Sequence, residues 1–178
     1  MRNILGPFGD CAAGRTGRTV RTTLLMSGLA TALITAAHAQ YVTWLGALPG
    51  GYESWAYGVS DNGVVVGRAR NASGYDRAFR WENGVMQDLG KLGGHESRAF
   101  GVSADGSVVV GGAWNASQRR RAVRWTSSGI EDLNTIAIGL SQGSKLVEAY
   151  AISPNGRYIV GTGYNASTAR AEGWVMDL

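Results

Sequence analysis

Any reaction catalysed by this chain would have to run on its carboxylates, because the other reactive side chains are scarce. Its 178 residues include two histidines, His38 and His95, and one cysteine, Cys11. His38 and Cys11 fall in a leading segment that reads as removable, so His95 is left as the one imidazole. A single imidazole cannot build a His-rich zinc site, and nothing near it resembles a nucleophile elbow. Among the acids, Glu53 and Glu96 occupy matching positions, as do Asp88 and Asp132. Matching acids suggest a shared structural task such as holding a turn, whereas a glycosidase needs two carboxyl groups in unlike environments about 5 to 10 Å apart. There is no Asp-x-Asp-x-Asp-Gly loop for calcium and no glycine-rich loop ending in Lys-Ser or Lys-Thr for phosphate. No catalytic residue, metal ligand or cofactor-binding residue is therefore assigned.

The leading segment supplies an address. Arg15, Arg18 and Arg21 precede an apolar run from Leu24 to Ala37, which closes on Ala37-His38-Ala39. A basic region, a short apolar core and an A-x-A site, in that order, describe a secretory signal peptide. The run is too short for a permanent span, which takes about 20 apolar residues. Cleavage after Ala39 is expected, leaving a β-repeat domain over residues 40–178. Of the 17 Lys and Arg, four lie in residues 1–39, and of the 13 acids one does, which leaves 13 against 12, a net of about +1. Bulk-charge attraction to nucleic acid is thereby removed, and Arg119-Arg120-Arg121, the one basic cluster left, reads as a solvated loop. Without Cys11 the mature chain has no disulfide, thiol nucleophile or cysteine ligand. The expected location is secreted or periplasmic, or at the cell surface.

The remainder of the chain repeats itself. Asn71-Ala72-Ser73 returns as Asn115-Ala116-Ser117 and Asn165-Ala166-Ser167. Ala56-Tyr57-Gly58-Val59-Ser60 returns as Ala99-Phe100-Gly101-Val102-Ser103 and Ala149-Tyr150-Ala151-Ile152-Ser153. An Asn-Gly or Asp-Gly turn follows each time, then an apolar run into Gly67, Gly111 or Gly161. Next stand Arg77-Ala78-Phe79-Arg80-Trp81, Arg121-Ala122-Val123-Arg124-Trp125 and, more weakly, Arg170-Ala171-Glu172-Gly173-Trp174. Self-similarity at this period indicates stacked supersecondary units. Each reads as four short strands with hairpin turns, in units of about 45–88, 89–132 and 133–178. Asn-Ala-Ser recurs because a turn recurs, its side chains bonding their own backbone, and glycosylation is not needed to explain it. Trp81, Trp125 and Trp174 are expected at equivalent core positions, since a buried indole supplies the area a small sheet lacks.

Leu89-Gly90-Lys91-Leu92-Gly93-Gly94, the match with one insertion over Leu45 to Gly51, the Val-Val-Gly runs and Arg77-Ala78-Phe79 resemble the HAF family of bacterial extracellular repeats. That pattern runs Leu-Gly-x-Leu-Gly-Gly, then Asn-Gly or Asp-Gly, Val-Val-Gly and His-Ala-Phe. Arginine stands here in place of its histidine. The resemblance covers residues 45–178 and implies export and a propeller-like repeat fold. It carries no catalytic set to transfer.

The expected fold is all-β: three four-stranded antiparallel units, propeller-like, either partial or closed by dimerisation, with a three-sheet β-prism as the alternative. Propellers ordinarily close with 4 to 8 blades, and a fourth strand is wanting after Trp174. Tyr41-Val42-Thr43-Trp44-Leu45, which resembles the fourth strand Val85 to Leu89, could supply it within one chain or across a homodimer. The expected function is a non-catalytic binding or structural module at the cell envelope or outside the cell. Its ligand would be a glycan or envelope component, with no nucleic acid and no permanent membrane span. The alternative is a carbohydrate-active hydrolase using carboxylates that break the repeat. Recognition is expected where copies differ on a constant scaffold: at Arg70, Trp114 and Tyr164, each preceding Asn-Ala-Ser, and in the longer link from Asn134 to Lys145.

Overall fold

The computed structural model describes residues 40–178. Residues 1–39, the expected signal peptide with Cys11 and His38, lie outside the described residues. What is described is all-β: three antiparallel sheets in chain order, with one short helix. Sheet 1 runs β1 (Ser54–Val59), β2 (Val65–Arg70), β3 (Asp76–Glu82) and β4 (Val85–Asp88). Sheet 2 runs β5 (Gly93–Val102), β6 (Val109–Asn115), β7 (Arg120–Thr126) and β8 (Gly129–Asp132). After the helix α1 (Leu133–Ile136) comes sheet 3, with β9 (Lys145–Ile152), β10 (Tyr158–Asn165) and β11 (Arg170–Asp177). No helix among the described residues is long and apolar enough to cross a membrane.

The repeated letters map onto repeated contacts. At each first turn a serine hydroxyl bridges the bend: Ser60, Ser103 and Ser153 donate to Asn62, Asp105 and Asn155 at 2.5, 2.5 and 2.6 Å. The same oxygens accept the N–H of Val64, Val108 and Tyr158. At each second turn the Asn of Asn-Ala-Ser folds its side-chain oxygen back onto backbone N–H groups, those of Ser73 and Tyr75, of Ser117 and Arg119, and of Ser167. Asn-Ala-Ser is thus a turn in all three copies, with the serine contributing its N–H.

Gly67, Gly111 and Gly161 face a bulge in the preceding strand. A Cβ there would come within about 2 Å of the carbonyl oxygens of Trp55, Arg98 and Glu148, so no side chain fits. These glycines also set the register of the third strand: Gly67 pairs with Phe79, Gly111 with Val123, and Gly161 with Trp174. Trp174 is therefore the counterpart of Phe79 and Val123, not of Trp81 and Trp125, whose place Met176 takes opposite Ile159. Glu172, not Arg170, then falls at the position of Arg77 and Arg121. The third turn is one residue longer, with Asn165 opposite Arg170 where Asn71 meets Tyr75, whereas matching the Arg-Ala letters would need it one residue shorter, so the strand is displaced by two positions. Trp125 is 3% exposed, while Trp81, at the same register position, is half-buried.

Sheet 2 packs between the other two. Val64, Val66 and Ala78 of the first unit meet Ala99, Val109, Val123 and Trp125 of the second. Val110 and Ala122 meet Leu146, Ala149 and Ile159 of the third, with Leu133 of α1. The far face of sheet 1, carrying Phe79 and Ala69, is covered by Leu45 and Leu48. Sheet 3 has three strands where four are expected, and residues 42–47 form no strand.

A candidate binding face along the inner strands

The first strands β1, β5 and β9 lie side by side as the inner edge of the three sheets, β5 touching both neighbours. Their equivalent positions Tyr57, Phe100 and Tyr150 form an aromatic ladder, with ring centroids 5.7 and 5.6 Å apart in tilted geometry. The strands approach so closely that a Cβ on Gly58 or Gly101 would sit 3.0 to 3.2 Å from the next strand's carbonyl. The ladder is open on one side: Tyr57 is 45% and Tyr150 47% exposed. A tilted aromatic row with free faces is a surface for stacking.

Beside the ladder runs a row of guanidinium groups. Arg68 stacks over Trp55 at 3.7 Å and donates to the Tyr57 hydroxyl and to both oxygens of Asp76 at 2.8 and 2.7 Å. Asp76, only 5% exposed, is also met by Arg98 at 2.9 Å, with Arg70 at 3.9 Å. Arg98 and Arg120 both lie near the Trp114 ring, 5.3 and 4.7 Å from its centroid, and Arg120 pairs with Glu148 at 3.1 Å. Glu148 accepts from the Tyr150 hydroxyl, which raises the Tyr150 pKa and keeps the phenol a donor. Arg68, Arg70, Arg98 and Arg120 are thus matched by Glu53, Asp76, Glu96 and Glu148. The face is rich in donors, acceptors and rings, yet close to neutral.

Of the three residues singled out in the sequence, Arg70 and Trp114 join this network. Arg70 lies against Tyr52 and Glu53 and reaches Asp76, and Trp114 stands under Arg98 and Arg120. Tyr164 does not join them. It lines a separate open cleft of about 160 Å³ with Leu140, Ser144, Lys145, Glu172 and Trp174. The ladder is not legible as a site in the sequence: Tyr57 and Phe100 recur at one position of the repeat, but their outward direction is set by bulges between Ala56 and Gly58 and between Ala99 and Gly101, which strand alternation does not reveal.

Nothing among the described residues assembles a reaction centre. His95 is stacked on Tyr75, with centroids 4.9 Å apart. Gly139-Leu140-Ser141-Gln142-Gly143 has the spacing of a nucleophile elbow but follows a one-turn helix, and the Ser141 hydroxyl meets Ser144 at 2.7 Å. An elbow needs a strand entering and a helix leaving. The acids whose pKa moves are Asp105, Glu172 and Asp177, and all move down, through hydrogen bonds from Ser103, Thr168 and Arg157 respectively. That is the wrong direction for a general acid. No group of three or more His, Cys, Asp or Glu able to hold a metal ion occurs among the described residues.

No family model matches the chain, and no curated protein matches it in sequence. Among solved structures, one described as "putative TolB from Agrobacterium tumefaciens" superposes with a TM-score of 0.53 at 16% identity. The match covers 72% of this chain and 47% of that one, so this chain spans about half of that structure. At such identity the likeness concerns the fold, and with the three radially packed sheets it makes this chain propeller-like.

Proposed function

We propose that the protein is an exported, non-catalytic β-repeat module that binds a glycan or another envelope component on the axis-facing surface of its inner strands. The observation that carries this is the half-exposed ladder Tyr57–Phe100–Tyr150 beside paired arginines and carboxylates. Aromatic faces suit the apolar faces of sugar rings, and fixed guanidinium and carboxylate groups suit vicinal hydroxyls. The near-neutral balance of the row disfavours a polyanion, which needs a surplus of cations. Export rests on the leader in residues 1–39.

A panel of soluble glycans and peptidoglycan fragments, assayed in parallel for binding and for turnover, tests the reading. Binding without turnover is expected, weakened about tenfold or more by Tyr57→Ala or Tyr150→Ala, as for a central aromatic contact. Both tyrosines are about half exposed, so both variants should keep the parent's melting temperature. Turnover abolished by one carboxylate substitution would replace the module with the hydrolase.

A further inference from the structure

We propose that residues 42–45 of one copy complete sheet 3 of a second copy, so that two copies close a six-sheet ring by exchanging strands. The proposal does not rest on the binding reading. In sheets 1 and 2 the fourth strand is followed by Leu89 or Leu133, each plugged into the core at the next unit. Leu45 plugs into sheet 1 in the same way. The equivalence extends to the next residues: Ser54 donates to the carbonyl of Gly46 as Ser97 donates to that of Gly90. Val42, Thr43 and Trp44 therefore hold the places of Met86, Gln87 and Asp88, in a fourth strand belonging to the unit before sheet 1. They form no strand, and Val42 is 84% and Trp44 91% exposed.

The acceptor is the free edge of β11. Transferring the register of β3 with β4 sets Trp44 opposite Trp174, Thr43 opposite Val175 and Val42 opposite Met176. The Trp44–Trp174 pair is of the aromatic kind that stabilises neighbouring strands, and the other two pairings bring no charges together. Two open clefts lie along this edge, about 160 and 570 Å³, sharing Leu140, Leu146 and Trp174, the larger also lined by Ile136 and Met176. They offer room for Trp44 and Val42.

Charge fits as well. In sheet 1 the fourth-strand acid Asp88 pairs with Arg77 at 3.0 Å, and in sheet 2 Asp132 lies 3.6 Å from Arg121. In the third unit the arginine's place is held by Glu172 and the acid's by Trp44, so both partners change together and no like charges meet.

The outer face of sheet 3 also lacks a cover. Val160 is 44% exposed where Val66 and Val110 are 0%. Val175, 69% exposed, replaces Arg80 and Arg124. A partner's sheet 1, with Val65, Trp81 and Met86, is the surface that the repeat would seat there. One link is missing: Asp61 and Ala104 donate their N–H groups to Ala104 and Pro154, and Pro154 has no N–H to pass on. The joint thus depends on the donated strand and apolar contact, and it is a symmetric exchange.

Light scattering of the exported protein after size exclusion should give twice the chain mass. In a Cys11→Ser background, the Thr43→Cys/Val175→Cys variant should oxidise to a covalent dimer on a non-reducing gel. Deletion of residues 40–44 should yield a monomer that keeps its β-sheet circular dichroism. A single-chain mass at every concentration, a disulfide confined to one chain, or a dimer that survives the deletion would each overturn the proposal.

Discussion

At the scale of single residues, the repeated letters are mostly hydrogen-bonding devices. The Asn of Asn-Ala-Ser was legible as a turn residue because an Asx turn needs only local chain. The hydroxyls of Ser60, Ser103 and Ser153 were not, because their work depends on the acceptor two residues on and the N–H four or five on being folded into reach. Asp105 is the charged member of that set, with Asn62 and Asn155 at its equivalents. Hydrogen bonds from the Ser103 hydroxyl, the Ser107 N–H and the Ser107 hydroxyl hold its pKa down, to about 2. A carboxylate whose pKa is depressed on folding stabilises above its ordinary value of 3.8 and loses that contribution as pH falls through the folded value. Melting temperatures of the parent and Asp105→Asn should therefore differ at pH 5 and converge near about pH 2; a constant difference across that range would show that the carboxylate is not the cause. Trp125, 3% exposed, should cost about 3 to 5 kcal/mol when replaced by Ala, read from urea unfolding, and half-buried Trp81 should cost less.

At the scale of the element, the strand count and the hairpin turns of units 1 and 2 followed from glycine turns and alternation, while the third unit's register did not. Arg170-Ala171 imitates Arg77-Ala78 in sequence, but the fold is decided by where a large ring can lie over Gly161. Trp174 occupies that place, its ring atoms within 2.4 to 2.7 Å of where a Cβ on Gly161 would stand. The turn lengthens by one residue where the matching letters would need one fewer, and the frame moves by two. The helix α1 was equally hidden, because its four residues are held by a cap, the Asp132 side chain accepting from Asn134 at 2.9 Å, and by Leu133 in the core. Helix propensity plays little part at such length. The bulge glycines offer the direct test of register. Gly111→Ala places a methyl about 2 Å from the Arg98 carbonyl and should destabilise by about 1 to 3 kcal/mol or more, whereas Ala at Gly84, where a Cβ meets nothing within 4 Å, should cost only the strain of its positive φ. Equal losses in urea unfolding would mean that the bulge does not press on β6.

At the scale of the whole molecule, three sheets packed face to face leave two unlike ends, one covered by Leu45 and Leu48 and the other bare at Val160 and Val175. Exposed edges and faces of this kind require management. The sheet count and inward-facing valines could be read from the repeat, but which rings face the axis could not, since bulges between Ala56 and Gly58 and between Ala99 and Gly101 reset the alternation that a strand would otherwise follow. That axis-facing row is where the account places function. Hydrogen–deuterium exchange of the exported protein, with and without a saturating peptidoglycan fragment or glycan from the binding panel, tests it most directly. The account predicts slowed exchange concentrated in Ser54–Val59, Gly93–Val102 and Lys145–Ile152; protection falling instead on the outer strands Val85–Asp88 and Gly129–Asp132, with the inner strands unchanged, would contradict it.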